Sequence, residues 1–236
     1  MRYGPPAALP FATRVQDPAD GRRPVSGPGG LTSSVARMSD QTRVLLVRHG
    51  QSEWNASGRW QGQADPPLTN LGRRQAQEAS MAVGAVDAVW ASDLHRAAET
   101  AITIANGLGV GPVVIDEDLR ERDAGEWSGL TRAEIDERFP GYLSEGRRPP
   151  GWESDEVLLG RALRALAKIH AELPGGDVLV VTHGGLIYAV EGHLGEEHQR
   201  IANLEGRWVA VDGDKLTLGE RIGLTAPEDV TVPGQI

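Results

Sequence analysis

The chain has 236 residues, 39% of them apolar and 24% charged, which suits one globular domain with length to spare for a tail. A net charge of −9 argues against a general nucleic-acid binder, whose affinity would rest on a basic surface. Without cysteine, disulfides, thiolate nucleophiles and cysteine-ligated zinc are excluded, and no apolar run approaches the roughly 18 residues of a membrane span.

Residues 1–40 carry Pro5, Pro6, Pro10, Pro18, Pro24 and Pro28 and show neither helical nor strand periodicity. A disordered N-terminal extension is expected there, because it buries too little apolar surface to offset its ordering entropy. It lacks the apolar core of a secretory signal, Asp17 and Asp20 count against a transit peptide, and Met38 offers an alternative start. A cytoplasmic protein is expected. The body is assigned to residues 41–218, and a flexible C-terminal tail to residues 219–236, with Pro227 and Pro233.

Within the body, strand and helix alternate. Residues 43–48 (RVLLVR) read as a buried strand, 70–83 as a helix, 87–91 as a strand, 93–106 as a helix and 112–115 as a strand. Thr131 and Glu134 form a capping box for a short helix through Arg138. Residues 155–173 follow as a longer helix, with apolar Leu159, Leu163, Leu166 and Ile169 spaced three or four apart. Residues 177–182 (DVLVVT) give another buried strand, and 208–211 with 216–218 flank Asp212-Gly213 as a hairpin. The expected fold is α/β: a three-layer sandwich with a mainly parallel sheet and helices on both faces. Ligand sites in such sheets lie beyond the carboxyl ends of the strands.

Two histidines fall at such ends, in Arg48-His49-Gly50 and His183-Gly184-Gly185. One such histidine is as readily a loop residue as a functional one; two, each followed by glycine, are harder to dismiss. A neutral imidazole with one nitrogen held by a hydrogen bond can attack phosphorus. The phosphoryl oxygens then need cations and donors. Arg48 beside His49, Asn55 in the next loop, and Arg96 at the start of the helix after the second strand can supply them. Taken alone, Arg96 reads as a solvated helix residue.

The pattern resembles the histidine phosphatase superfamily, in the branch that contains cofactor-dependent phosphoglycerate mutases. Four segments carry the resemblance in family order: RHGQSEWN…PLTNLG from Arg48, SDLHRAAETA from Ser92, LRERDAGEWSG from Leu119 and VVTHGG from Val180. It implies a phosphoglycerate mutase-like fold and His49 as the phosphorylated nucleophile. Arg48, Asn55, Arg96, His183 and the Gly184 backbone N–H would bind phosphate, and Glu121 would be the proton donor. Ser52 stands where many relatives have threonine. Trp152 replaces a common glycine, which weighs against a substrate lid there.

Other signals are weaker. Gly107, Gly109 and Gly111 resemble a nucleotide loop but follow a helix, so a helix stop is expected. His95, His170, His193 and His198 read as surface residues. Arg147 and Arg148 could meet a second anionic group, although a solvated pair is the preferred reading.

The expected activity is metal-independent phosphomonoester hydrolysis through phosphohistidine, with no cofactor and no metal site. The substrate would be a small phosphorylated metabolite, with neither nucleic acid nor membrane as partner; a homodimer stays open. Phosphoglycerate mutase is the alternative, and a non-catalytic phosphate-binding module a minor one. Only 62 positions separate Glu121 from His183, less than the long covering insertion of the mutases.

Overall fold

A computed structural model describes residues 40–232, so the extension expected over residues 1–40 lies outside the described residues apart from Asp40. Six strands form one sheet: β1 (Thr42–Arg48), β2 (Ala88–Ala91), β3 (Val114–Ile115), β4 (Asp177–Thr182), β5 (Glu205–Asp212) and β6 (Lys215–Gly223). Their order is β3-β2-β4-β1-β5-β6. The first four run parallel, and the β5–β6 hairpin adds two antiparallel strands beside β1.

The sheet is buried on both faces because its central strands are apolar at every position from Val44 to Val47 and from Val178 to Val181. Side chains alternate across a strand, so Val44, Leu46, Val178 and Val180 share one face while Leu45, Val47, Leu179 and Val181 share the other. The first face is covered by α5 (Asp155–Glu172) and α6 (Gly184–His193), the second by α2 (Asn70–Ala82) and α3 (His95–Leu108). Three layers result. Two short helices complete the set, α1 (Glu53–Ala56) and α4 (Arg132–Arg138). The Thr131–Glu134 capping box forms with both of its hydrogen bonds, and Gly109 ends α3 in the left-handed conformation at φ 69°.

Three elements depart from expectation. The hairpin turn lies one residue later than expected: Asp212 pairs with Lys215, so Gly213 and Asp214 form the corner, with Gly213 at φ 57°. β6 runs past Leu218 to Gly223, and the chain beyond still packs, Asn203 N donating to Thr231 O at 2.9 Å. On α5 the buried stripe is Leu158, Arg161, Ala162, Ala165, Leu166 and Ile169, with Leu159 and Leu163 only half-buried. Alanines carry much of that contact, and an apolar spacing drawn through leucines alone is rotated from the true face.

Candidate active site

β1 and β4 are neighbours in parallel register, with Arg48 opposite Thr182. The residues that follow, His49 and His183, therefore leave the sheet side by side, and their ring centroids are 5.1 Å apart. Both are buried. His49 Nδ1 lies 2.7 Å from the carbonyl of Gly50; a carbonyl only accepts, so Nδ1 carries the proton and Nε2 bears the lone pair. Burial, then the charges of Arg96 and Arg48, holds the His49 imidazole well below its usual pKa, so it is neutral.

Arg96 meets that lone pair directly, its Nε donating to His49 Nε2 at 3.2 Å. Its other nitrogens donate to Ala64 O at 2.7 Å and Gly62 O at 2.9 Å, fixing the plane of the guanidinium. Burial lowers its pKa to about 10, which leaves it charged at neutral pH. Arg48 is anchored through Nη1 to Ile201 O at 2.8 Å, and its buried Nε has no acceptor among the described residues. Neither ring nitrogen of His183 has one either. Burial, followed by electrostatic coupling to Arg96, His49, Arg161 and Arg48, keeps His183 neutral as well. Buried polar groups without protein partners are rare, and those of Arg48 and His183 beside His49 mark a candidate site for an oxygen-rich ligand.

Asn55 is set by the cap of its own helix: Ser52 Oγ accepts from Asn55 N at 3.1 Å, and Asn55 Oδ1 accepts from Ser52 N at 3.2 Å. Gly184 opens α6, whose first-turn N–H groups and dipole favour an anion. Glu121 reaches this helix end. Its half-buried carboxylate accepts from Arg122 N at 2.7 Å and Gly185 N at 3.1 Å. Its charge also raises the pKa of Arg48 and Arg96 against their desolvation. A methyl group at Gly185 would stand 2.2 Å from Glu121 Oε1, so only glycine admits this approach.

A cavity of about 640 Å³ opens over these groups, lined by Arg48, Asn55, Glu121, Arg148, Trp152 and Tyr188 among others. One wall is a satellite cluster in which the rings of Trp60, Trp127 and Trp152 meet edge to face at 5.3–5.9 Å. Trp152 is thus a pocket wall. Arg147 and Arg148 part company. Arg147 turns to Glu145 at 2.8 Å and the Tyr142 ring at 4.1 Å, while Arg148 lies over the Trp152 ring at 5.1 Å and lines the cavity.

Among the histidines read as surface residues, His95 and His193 are exposed. His198 is exposed too, with its ring on Tyr188 at the cavity rim, whereas His170 is half-buried and contacts Thr42 Oγ1 at 2.9 Å. Two residues near the site carry no sequence signal. Asn203 donates to His49 O at 2.8 Å, and Arg161 donates to Glu121 O at 2.9 Å.

Across residues 44–210 the chain matches the model of the histidine phosphatase superfamily, branch 1. The chain belongs to that superfamily. This histidine phosphatase is similar to phosphoglycerate mutase-like protein 4 of Arabidopsis thaliana, at 34% identity over 76% of this chain and 84% of the relative. It is 38% identical to the metal-independent phosphoserine phosphatase of the same plant, over 64% of this chain and 68% of the relative. A solved mycobacterial glucosyl-3-phosphoglycerate phosphatase superposes with a TM-score of 0.68 at 31% identity, covering 75% of this chain and 96% of that one. Among the described residues of this histidine phosphatase, no helix is long and apolar enough to cross a membrane.

Proposed function

We propose that the chain is a metal-independent phosphomonoesterase that works through a phosphohistidine at His49. The neutral, oriented imidazole beside unpartnered buried donors carries this reading. In the first half-reaction the Arg96 Nε–H turns from His49 Nε2 to a phosphoryl oxygen, the freed Nε2 lone pair attacks phosphorus and the bond to the leaving oxygen breaks. Arg48, Arg96, Asn55, His183 and Gly184 hold the phosphoryl oxygens, and protonated Glu121 gives its proton to the departing alkoxide. In the second, Glu121 as carboxylate takes a proton from water as the water oxygen attacks phosphorus. The P–N bond breaks and its electron pair returns to Nε2. The Nδ1 proton stays on the ring throughout, donated to the Gly50 carbonyl.

The phosphatase-named relatives support hydrolysis over phosphoryl return. The substrate we assign is a small phosphomonoester with a second anionic group. Of the arginines at the cavity, Arg59 is paired with Glu134 and Arg122 with Asp155, whereas Arg148 has no carboxylate partner among the described residues.

The test uses 3-phosphoglycerate with catalytic 2,3-bisphosphoglycerate, beside a panel of phosphometabolites. Release of inorganic phosphate should outrun formation of 2-phosphoglycerate, and a panel member should be hydrolysed faster still. Rapid isomerisation with negligible phosphate release would establish a mutase instead.

A further inference from the structure

The segment that carries Glu121 has little regular structure to hold it: a single 3₁₀ turn at Glu117–Leu119, then loop to the next turn at Gly125–Trp127. A general acid nevertheless has to be held within about 0.5 Å of its productive position. Something outside the segment must fix it.

Arg161 is placed to do so. It sits on the core face of α5 with its side chain only 8% exposed. Its Nη1 donates to Asp118 O at 3.0 Å and also to Arg120 O, and its Nη2 donates to Glu121 O. The same guanidinium grips Glu153 with two bonds, Nε to Oε1 at 2.8 Å and Nη2 to Oε2 at 2.9 Å. Glu153 extends the hold past the acid: its Oε2 accepts from Asp123 N at 3.1 Å, its backbone N donates to Asp123 O at 3.0 Å, and its carbonyl accepts from Arg122 Nη1 at 2.7 Å. Backbone groups on both sides of Glu121 are thus tied to one ion pair rooted in a core helix.

Stability alone is a poor reason for this arrangement. Desolvating two charges is costly, and a well-packed apolar pair often does as well. What an apolar pair cannot do is aim a rigid fork of N–H donors at consecutive carbonyls. The carboxylate is oriented by Arg122 N and Gly185 N, and the backbone from which it projects is held by Arg161 at 2.9 Å, with Gln63 Nε2 a longer second donor to the same carbonyl at 3.3 Å.

We infer that Arg161, braced by Glu153, is a positioning residue that holds the Glu121 loop where proton transfer to the leaving group can occur. The inference rests on Glu121 being the acid. Its signature is a dependence on the leaving group: p-nitrophenolate departs with little help, an alkoxide needs the proton.

The experiment measures kcat and KM on p-nitrophenyl phosphate and on glycerol 2-phosphate for wild type, Glu121→Gln, Arg161→Lys, Glu153→Gln and the double variant of Glu121→Gln with Arg161→Lys. Both Arg161→Lys and Glu153→Gln should lose about tenfold or more kcat on the alkyl ester beyond their loss on the aryl ester, with the change in kcat and not in KM. On the alkyl ester the double variant should be within about threefold of Glu121→Gln alone, since a residue acting through the acid has nothing to add once the acid is gone. If Arg161→Lys fails to fold, the volume-conserving Glu153→Gln carries the same comparison. Equal losses on both esters, or multiplicative losses in the double variant, would overturn the assignment and leave the pair a structural brace. Equal losses in Glu121→Gln itself would remove the acid assignment, and this inference with it.

Discussion

Thr231 holds Asn203, and Asn203 holds the nucleophile loop: Thr231 Oγ1 donates to Asn203 Oδ1 at 2.9 Å while Asn203 Nδ2 donates to His49 O at 2.8 Å. The chain after β6 is thereby linked, through Asn203, to the backbone of His49. Asn203 also donates to Asn55 Oδ1 at 3.3 Å, so one buried amide spans two of the groups assigned to the phosphate. Asn203→Ala should cost about 1–3 kcal/mol in urea unfolding, because a buried carbonyl loses its donor, and should lower kcat as well. Thr231→Val should show a smaller loss in the same direction. Wild-type stability in both variants would show that this chain of bonds carries no load.

Gly185→Ala separates the acid from the fold. The added methyl meets a carboxylate oxygen at the end of a flexible side chain, so Glu121 can swing away while the backbone stays put. The expected result is a melting temperature close to wild type and a kcat on alkyl phosphates reduced about 10²-fold or more, the usual scale of general acid catalysis. A variant that melts early but turns over normally would contradict the geometry.

The two site histidines make stability depend on pH in one direction. Burial first, then neighbouring cations, lowers the pKa of both well below the usual value. Unfolded, they titrate near about 6.5 and bind protons that the native state refuses. Their contribution is therefore complete above that pH and declines as the pH falls toward the lowered native values. At pH about 5.5 each costs up to about 1.4 kcal/mol. Urea titrations between about pH 7.5 and 5.5 should show this decline, and His183→Gln should flatten it. A steeper slope in the variant would reverse the sign of the assignment.

In the proposed mechanism phosphate charge is met by Arg48 and Arg96, with no metal ion required. Turnover should accordingly be unchanged after dialysis against excess EDTA, measured on the best panel substrate. Loss of activity that a divalent ion restores would require a different account of how the phosphoryl oxygens are neutralised.

The central strands and their histidines were legible because RVLLVR and DVLVVT are uninterrupted apolar runs, each ending in His-Gly. α6 was not anticipated, since it opens with two glycines and is apolar through Leu186, Ile187, Ala189 and Val190 without an amphipathic period. The hairpin was recognised from Asp212-Gly213, but pairing with β5 puts Gly213 at the first corner of the turn. Asn203 lies in a loop with no motif around it. Arg161 stands in no motif, and only the fold brings residues 118–121 beneath it, while its partner Glu153 lies before the helix rather than one turn away along it.

β1 and β4 fix the height at which the two histidines emerge, through the pairing of Arg48 with Thr182. Their 5.1 Å separation is close to the strand spacing of about 4.8 Å, so the sheet dictates it and the intervening chain does not. Loops between the strands that carry none of the proposed site residues can lengthen or be exchanged while the two histidines keep their geometry. Chemistry and selectivity are thus inherited separately. A chimaera that takes residues 139–151 from another member of the superfamily should change which phosphate ester is preferred and leave the phosphohistidine step as it was.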